Sequence, residues 1–208
     1  MNRWRQLGLL GAVTTAFACT ANAQDDFASD AARLVTALEL DSGRTVADIG
    51  AGAGQLTVEL ARAVGPTGRV YATELEADRL EDIREAASDA GLANVSVVEA
   101  HATRTNLPAQ CCDALVLRRV YHHIRDPGPM NASLLETLKP GGRLAVIDFV
   151  PDSAESADPG GRATGEQHGV TSATVVRELS QAGFEVVTVE EGGRPGRFMV
   201  VVRRPVAP

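Results

Sequence analysis

Gly50, Gly52 and Gly54 alternate with Ala51 and Ala53 directly after a short apolar run, Thr45–Ile49, and directly before a helical pattern, Gln55–Val64. Few folds accommodate that arrangement. Glycine lets the main chain take positive φ and lets a ligand approach bare backbone, and the place where this is needed is the first strand-to-helix turn of a doubly wound sheet. The small Ala51 and Ala53 keep the same surface low. Glu74 closes the next apolar run, 20 residues beyond Gly54. A carboxylate there can accept both hydroxyls of a nucleoside ribose. The loop and the acid together restrict the chain far more than either alone. Gln55 stands where a dinucleotide fingerprint, G-x-G-x-x-G, requires its third glycine, which disfavours a nicotinamide-dependent oxidoreductase. No Lys-Ser/Thr pair follows, so a phosphate-binding P-loop is also excluded.

The rest of the chain repeats the strand-then-helix alternation. Residues 28–40 carry Ala31, Leu34, Val35 and Leu38 at helical spacing. Leu56, Leu60 and Val64 form one face of the next helix, and Gly65-Pro66-Thr67-Gly68 makes a turn. Strands are predicted at residues 69–73, 95–98, 113–117 and 143–149, and helices at 77–90, 131–138 and 171–181. Short, continuously apolar strands between helices imply a parallel sheet covered on both faces. The tail differs: residues 184–189 and 198–202 are two β-rich runs joined by a Gly/Pro loop. They read as a terminal hairpin with one antiparallel edge. Residues 151–169 form a polar, Pro/Gly-rich loop, long enough to imply a function of its own.

At 208 residues, with 44% hydrophobic and 23% charged, the chain has the composition of one well-filled domain. The formal net charge of −7 and an aromatic content of 4% argue against a nucleic-acid partner, because neither a basic patch nor a stacking surface is present. Residues 1–23 read as a secretory leader: Arg3 and Arg5, an apolar run from Leu7 to Ala18, then Ala21-Asn22-Ala23 as the small-x-small cleavage site. An amphipathic first helix and a lipid anchor at Cys19 are the alternatives. The leader implies a periplasmic or secreted protein, cytoplasmic if the signal is not used, without stable membrane association after cleavage. Residues 24–208 are then the folded domain. Cys111 and Cys112 are adjacent and cannot staple distant segments. No Cys/His spacing resembles a zinc site, and no metal is expected. Oligomeric state is left open between monomer and homodimer.

Val46-Ala47-Asp48-Ile49-Gly50-Ala51-Gly52-Ala53-Gly54 resembles motif I of the class I S-adenosylmethionine-dependent methyltransferases. Val70-Tyr71-Ala72-Thr73-Glu74 resembles their second motif, and Leu138-Lys139-Pro140-Gly141-Gly142-Arg143-Leu144 their turn before strand five. The resemblance covers roughly residues 28–204. It implies an α/β, doubly wound, Rossmann-like fold: a seven-stranded, mostly parallel sheet with a C-terminal antiparallel hairpin. It implies S-adenosylmethionine as cofactor and methyl transfer to a small-molecule acceptor. Asp48, Gly50, Ala51, Gly52 and Gly54 would hold the methionine and ribose portions, Glu74 the ribose hydroxyls, and Leu75 would lie beside the adenine. His101, with Ala102, stands where the family usually shows an acid contacting the adenine amino group. Arg118, at the end of strand four, joins the same set. Tyr121, His122 and His123 follow at the sheet's switch point, where the family lines its methyl-transfer pocket; they are the candidate residues for positioning or deprotonating the acceptor. Asp148 and His168 face the same rim. A non-catalytic nucleoside-binding protein that retains the fold is the alternative reading.

Overall fold

The computed structural model describes residues 18–192 and 196–206, with side chains from residue 26 onward. The leader reading of residues 1–23 lies outside the residues whose side chains are described. The elements run α1 (Ala18–Ala37), β1 (Thr45–Ile49), α2 (Gln55–Val64), β2 (Arg69–Glu74), α3 (Ala77–Asp89), β3 (Val95–Glu99), β4 (Cys112–Arg118), α4 (Pro127–Thr137), β5 (Leu138–Phe149), α5 (Ser172–Gln181), β6 (Glu185–Glu191) and β7 (Arg197–Arg203). The strands form a single seven-stranded sheet in the order β3-β2-β1-β4-β5-β7-β6. Strands β1 to β5 pair in parallel and β7 is antiparallel to both of its neighbours. The expected mostly parallel sheet with a C-terminal hairpin is therefore present.

Alternation along the central strands divides the core into two layers. Val46, Ala114, Val116, Ala145, Ile147 and Met199 face one side, where α1 and α2 contribute Leu34, Leu38, Leu56 and Leu60. Ala47, Ile49, Leu115, Leu117, Leu144 and Val146 face the other, against Leu134 of α4 and Val175 and Leu179 of α5. Each fully buried Leu, Ile or Val in these layers contributes about 1.5–3 kcal/mol of transfer free energy. Among the described residues no helix is long and apolar enough to cross a membrane.

Three features depart from the sequence expectation. Helix α1 starts at Ala18, ten residues before the first clear apolar spacing. Strand β5 starts at Leu138 rather than at 143, so the Lys139-Pro140-Gly141-Gly142 segment belongs to an extended strand; the register shift between Cys112 and Ala114 of β4 absorbs it. The terminal hairpin makes one edge of the sheet antiparallel, as expected, but its two strands lie in reversed order. β7, with buried Phe198, Met199, Val200, Val201 and Val202, inserts between β5 and β6, and the acidic, exposed β6 takes the edge. Burial decides that order: an apolar strand gains from two neighbours, and Glu185, Glu190 and Glu191 are suited to a solvated margin.

Sequential strands depart from β1 in opposite directions, β2 to one side and β4 to the other. The crevice at the carboxyl ends of β1 and β4 is the switch point of the sheet.

Candidate functional site

The glycine loop forms the floor of this crevice. The amides of Gly50 and Ala51 both donate to the Thr73 carbonyl at 3.0 Å, which ties the loop to the end of β2. Gly50 has φ +71°, and a Cβ there would lie 2.7 Å from Val120 Cγ2, so only glycine fits without displacing Val120. Gly52, at φ +60°, has nothing within 4 Å of the corresponding point and opens onto empty space. Its amide donates to Glu74 Oε1 at 2.9 Å, and the amide of Leu75 donates to Oε2 at 2.9 Å. Both carboxylate oxygens are thus aimed from the β2 terminus and retain lone pairs.

Two cavities meet at this point. One, of about 440 Å³, is lined by Asp48, Gly50, Ala51, Gly52, Glu74, Arg118, His122, His123 and His168, together with Phe27, Arg79 and Arg119. The other, of about 370 Å³ and mostly apolar, is lined by Leu75, His101, Ala102, Thr103, Ile124 and Met130. Gly50, Glu74, Val120 and His123 line both, so the two are lobes of one cleft. A larger cavity of about 620 Å³ lies at the amino ends of the strands around Thr45, Arg69 and Ser96. Ligands of open parallel sheets do not bind at that end. Cys111 and Cys112, both free with sulfurs 2.7 Å apart, stand at the same remote end where β4 begins.

Asp48 is buried beneath the glycine loop, and its Oδ2 accepts from Thr57 Oγ1 at 2.7 Å. Burial pushes its pKa up to about 6, against the opposing pull of the Thr57 hydroxyl and the Arg118 charge. Arg118 is itself engaged: its Nε donates to Asp30 at 2.7 Å, its terminal nitrogen to Asp26 at 3.2 Å, and it lies 4.2 Å over the Phe27 ring. It braces α1 against the cleft wall. His101 is exposed and forms a two-residue bridge with Arg104, its Nδ1 3.1 Å from Thr103 Oγ1.

A short 3-10 turn, Tyr121–His123, follows β4. With three residues per turn, consecutive side chains leave in three different directions. Tyr121 points into the core: it is fully buried, accepts from Asn131 at 2.8 Å and donates to Glu178 at 3.2 Å. Of the three expected acceptor-handling residues it is the one that lines neither lobe. His122 is also buried, but toward β5. Its Nδ1 lies 2.8 and 3.1 Å from the two oxygens of Asp148, which are acceptors, so Nδ1 carries the proton. The Asp148 carboxylate in turn accepts from the amides of His122 and Phe149. His122 Nε2 lies 3.0 Å from His168 Nε2, brought in by the long 151–169 loop. His123 projects into the cleft, and its ring makes no hydrogen bond among the described residues. Burial, then the neighbouring His122 and His168, hold its pKa below the ordinary histidine value.

No linear Cys/His spacing marks a metal site, but the fold brings three histidines together in space. His122, His123 and His168 bring one ligating nitrogen each to within 4.8 Å of the others. Linear spacing could not show this, because His168 is delivered by a loop. Phe27, Arg79 and Arg119 are further cleft residues that no motif marks.

Residues 40–189, more than half of the chain, match a family described as "Methyltransferase domain". The ubiquinone/menaquinone biosynthesis C-methyltransferase UbiE of Pseudomonas aeruginosa is 36% identical over 114 residues, 54% of this chain and 44% of that protein. The chain thus matches less than half the length of this curated relative. A SAM-dependent methyltransferase from Aquifex aeolicus superposes with a TM-score of 0.72 at 28% identity, covering 84% of this chain and 89% of that one. A phosphoethanolamine N-methyltransferase of Haemonchus contortus, solved with S-adenosyl-L-methionine, shares the fold with a TM-score of 0.69 at 14% identity, over 85% and 52% of the two chains. The glycine loop at the switch point, the Glu74 carboxylate behind it and these matches place the chain in the class I S-adenosylmethionine-dependent methyltransferase family.

Proposed function

We propose that the protein transfers a methyl group from S-adenosylmethionine to a small-molecule acceptor held against His122, His123 and His168. One observation carries this reading: the glycine-floored lobe and the histidine face are walls of a single cleft, sharing Gly50, Glu74, Val120 and His123. The residues fit the cofactor. Gly52 leaves its approach open, Glu74 presents two acceptors, and the buried Thr73 hydroxyl in the apolar lobe has no hydrogen-bond partner among the described residues. The nucleoside would extend toward Leu75, His101 and Ala102, and the amino-acid end toward Asp48, Gly50, Ala51 and Gly54. S-adenosylmethionine supplies the sulfonium methyl and its own leaving group, so the protein's work is alignment.

Asp148 fixes one tautomer of His122 and so turns an unprotonated Nε2 away from β5. That lone pair accepts from His168 Nε2 at 3.0 Å, and the coupled rings, with His123, orient the acceptor. Asp148→Asn keeps the shape but substitutes an amide that can donate to Nδ1, which favours the wrong tautomer. With the acceptor identified, kcat is expected to fall about 10²–10⁴-fold while cofactor affinity stays within a few-fold. Equal losses in both would remove the histidine face from catalysis.

Asp48 makes cofactor binding pH-dependent. A cationic ligand favours the ionised carboxylate, whereas burial holds the free group at about 6. Below pH 6 a proton must leave on binding, so Kd should rise, approaching tenfold per pH unit. The sign for stability is opposite: a raised carboxylate pKa favours the fold at low pH and costs stability as pH rises from about 4 through 6. Asp48→Asn should therefore bind more weakly at pH 8, lose the acid-side weakening and melt at a higher temperature at pH 8. Titration calorimetry and thermal melts across pH 5–8 decide this; unaltered pH dependence in the variant would assign it elsewhere.

The leader reading of residues 1–23 carries a second part of the proposal, that the mature protein is periplasmic or secreted. It is supported by the charged start, apolar run and Ala21-Asn22-Ala23 site. Intact mass of the native protein tests it: loss of residues 1–23 is expected, and an intact Met1 or a lipid on Cys19 would overturn it.

A further inference from the structure

We propose that His122, His123 and His168 bind a divalent transition-metal ion of borderline softness, such as Zn(II) or Co(II), with Asp148 as the outer carboxylate and the cleft supplying the fourth ligand. Three observations meet here. First, the three ring nitrogens already lie within 4.8 Å of one another. Second, His122 Nε2 and His168 Nε2 face each other at 3.0 Å, although Asp148 has committed the proton of His122 to Nδ1. In a tetrahedral site with bonds of about 2.0–2.1 Å, two nitrogens stand about 3.3 Å apart, so the pair needs to widen only slightly to take a metal in place of a shared proton. Third, the arrangement behind the ligand is complete. A metal-bound imidazole donates its other N–H to a carboxylate or carbonyl, and the buried Asp148, itself braced by the amides of His122 and Phe149, is that partner.

His123 supplies the third nitrogen. Its ring is free of hydrogen bonds among the described residues and lies 4.0 Å, centroid to centroid, from His122. A rotation of its side chain closes the triangle. Three imidazoles with one open position is the ligand set of a metal that also binds a water or a substrate atom. All three rings line the lobe floored by Gly52. Under the proposed methyltransferase reading, on which this last point rests, the fourth ligand is an acceptor oxygen, so the favoured substrates carry an ionisable hydroxyl or carboxylate. Metal binding itself does not depend on that reading.

The test uses the full chain without a polyhistidine tag, stripped with chelator and then titrated with Zn(II) or Co(II). One-to-one binding is expected, and Co(II) should give the intense visible bands of a four-coordinate site. His168→Ala and His123→Ala change partly exposed residues and should abolish the bands with little change in melting temperature. Asp148→Asn should weaken Zn(II) binding about 10- to 100-fold. Glu74→Ala should leave metal binding unchanged while losing S-adenosylmethionine, which separates this inference from the methyltransferase reading. No saturable binding, six-coordinate Co(II), or binding that survives both histidine replacements would overturn the proposal and leave the three rings as a hydrogen-bonded relay.

Discussion

Replacing Glu74 with alanine is expected to weaken S-adenosylmethionine binding by about 10²–10⁴-fold, measured by titration calorimetry on protein with an unchanged circular dichroism spectrum. The size follows from what the carboxylate does. Hydrogen bonds to a charged group are worth about 1.5–3 kcal/mol each, and a ribose offers two hydroxyls to the two Glu74 oxygens. The same oxygens accept from the amides of Gly52 and Leu75 at 2.9 Å, so the side chain also holds the open loop in position. Glu74→Gln keeps the length but removes the charge and turns one acceptor into a donor, and an intermediate loss is expected. Glu74→Asp is one methylene short and should resemble the alanine variant. Affinity within threefold of wild type in all three variants would mean that the sugar is held elsewhere.

The largest stability loss is expected from Glu178→Ala, far from any motif. Arg162 is almost fully buried within the 151–169 loop, and two of its nitrogens donate to the Glu178 oxygens at 2.7 and 3.2 Å. Glu155, with an oxygen 3.6 Å from Arg162 Nε, is its other carboxylate neighbour, and that nitrogen has no hydrogen-bond partner among the described residues. Removing Glu178 leaves a buried guanidinium largely uncompensated, at a cost of about 3–5 kcal/mol. For a domain of this size that corresponds to a drop in Tm of roughly 6–20 °C, taking about 2–4 °C per kcal/mol. Tyr121 loses its acceptor at the same time. Because the Arg162 loop delivers His168, turnover should fall even at temperatures where the variant is folded. Arg84→Ala, which breaks an exposed pair with Glu81, is the control and should change stability by less than about 0.5 kcal/mol. Similar melting curves for the two variants would contradict this assignment.

What was legible in the sequence is what local patterns encode. Five central strands announce themselves as apolar runs, the glycine loop by its alternation, and Glu74 by its distance from that loop. The parallel core follows from these, because strands apolar on both sides need cover on both faces. The site was less legible where long-range delivery decides. Tyr121, His122 and His123 are adjacent in sequence, yet the 3-10 turn sends Tyr121 into the core, His122 onto Asp148 and His123 into the cleft. Arg118 carries no mark of its partners, Asp26 and Asp30, which α1 brings from the other end of the chain. The start of β5 was hidden by Pro140 and two glycines, residues that ordinarily end a strand but here occupy an irregular stretch opposite the β4 register shift.

The central claim is that the cleft at Gly52 binds an S-adenosyl nucleoside through Glu74. Titration of the folded wild-type chain with S-adenosylhomocysteine, alongside NAD, tests it most directly. One-to-one binding of the first, absence of heat with the second, and loss of the signal in Glu74→Ala are the expected results. No binding of S-adenosylhomocysteine, or equal binding of NAD, would contradict it.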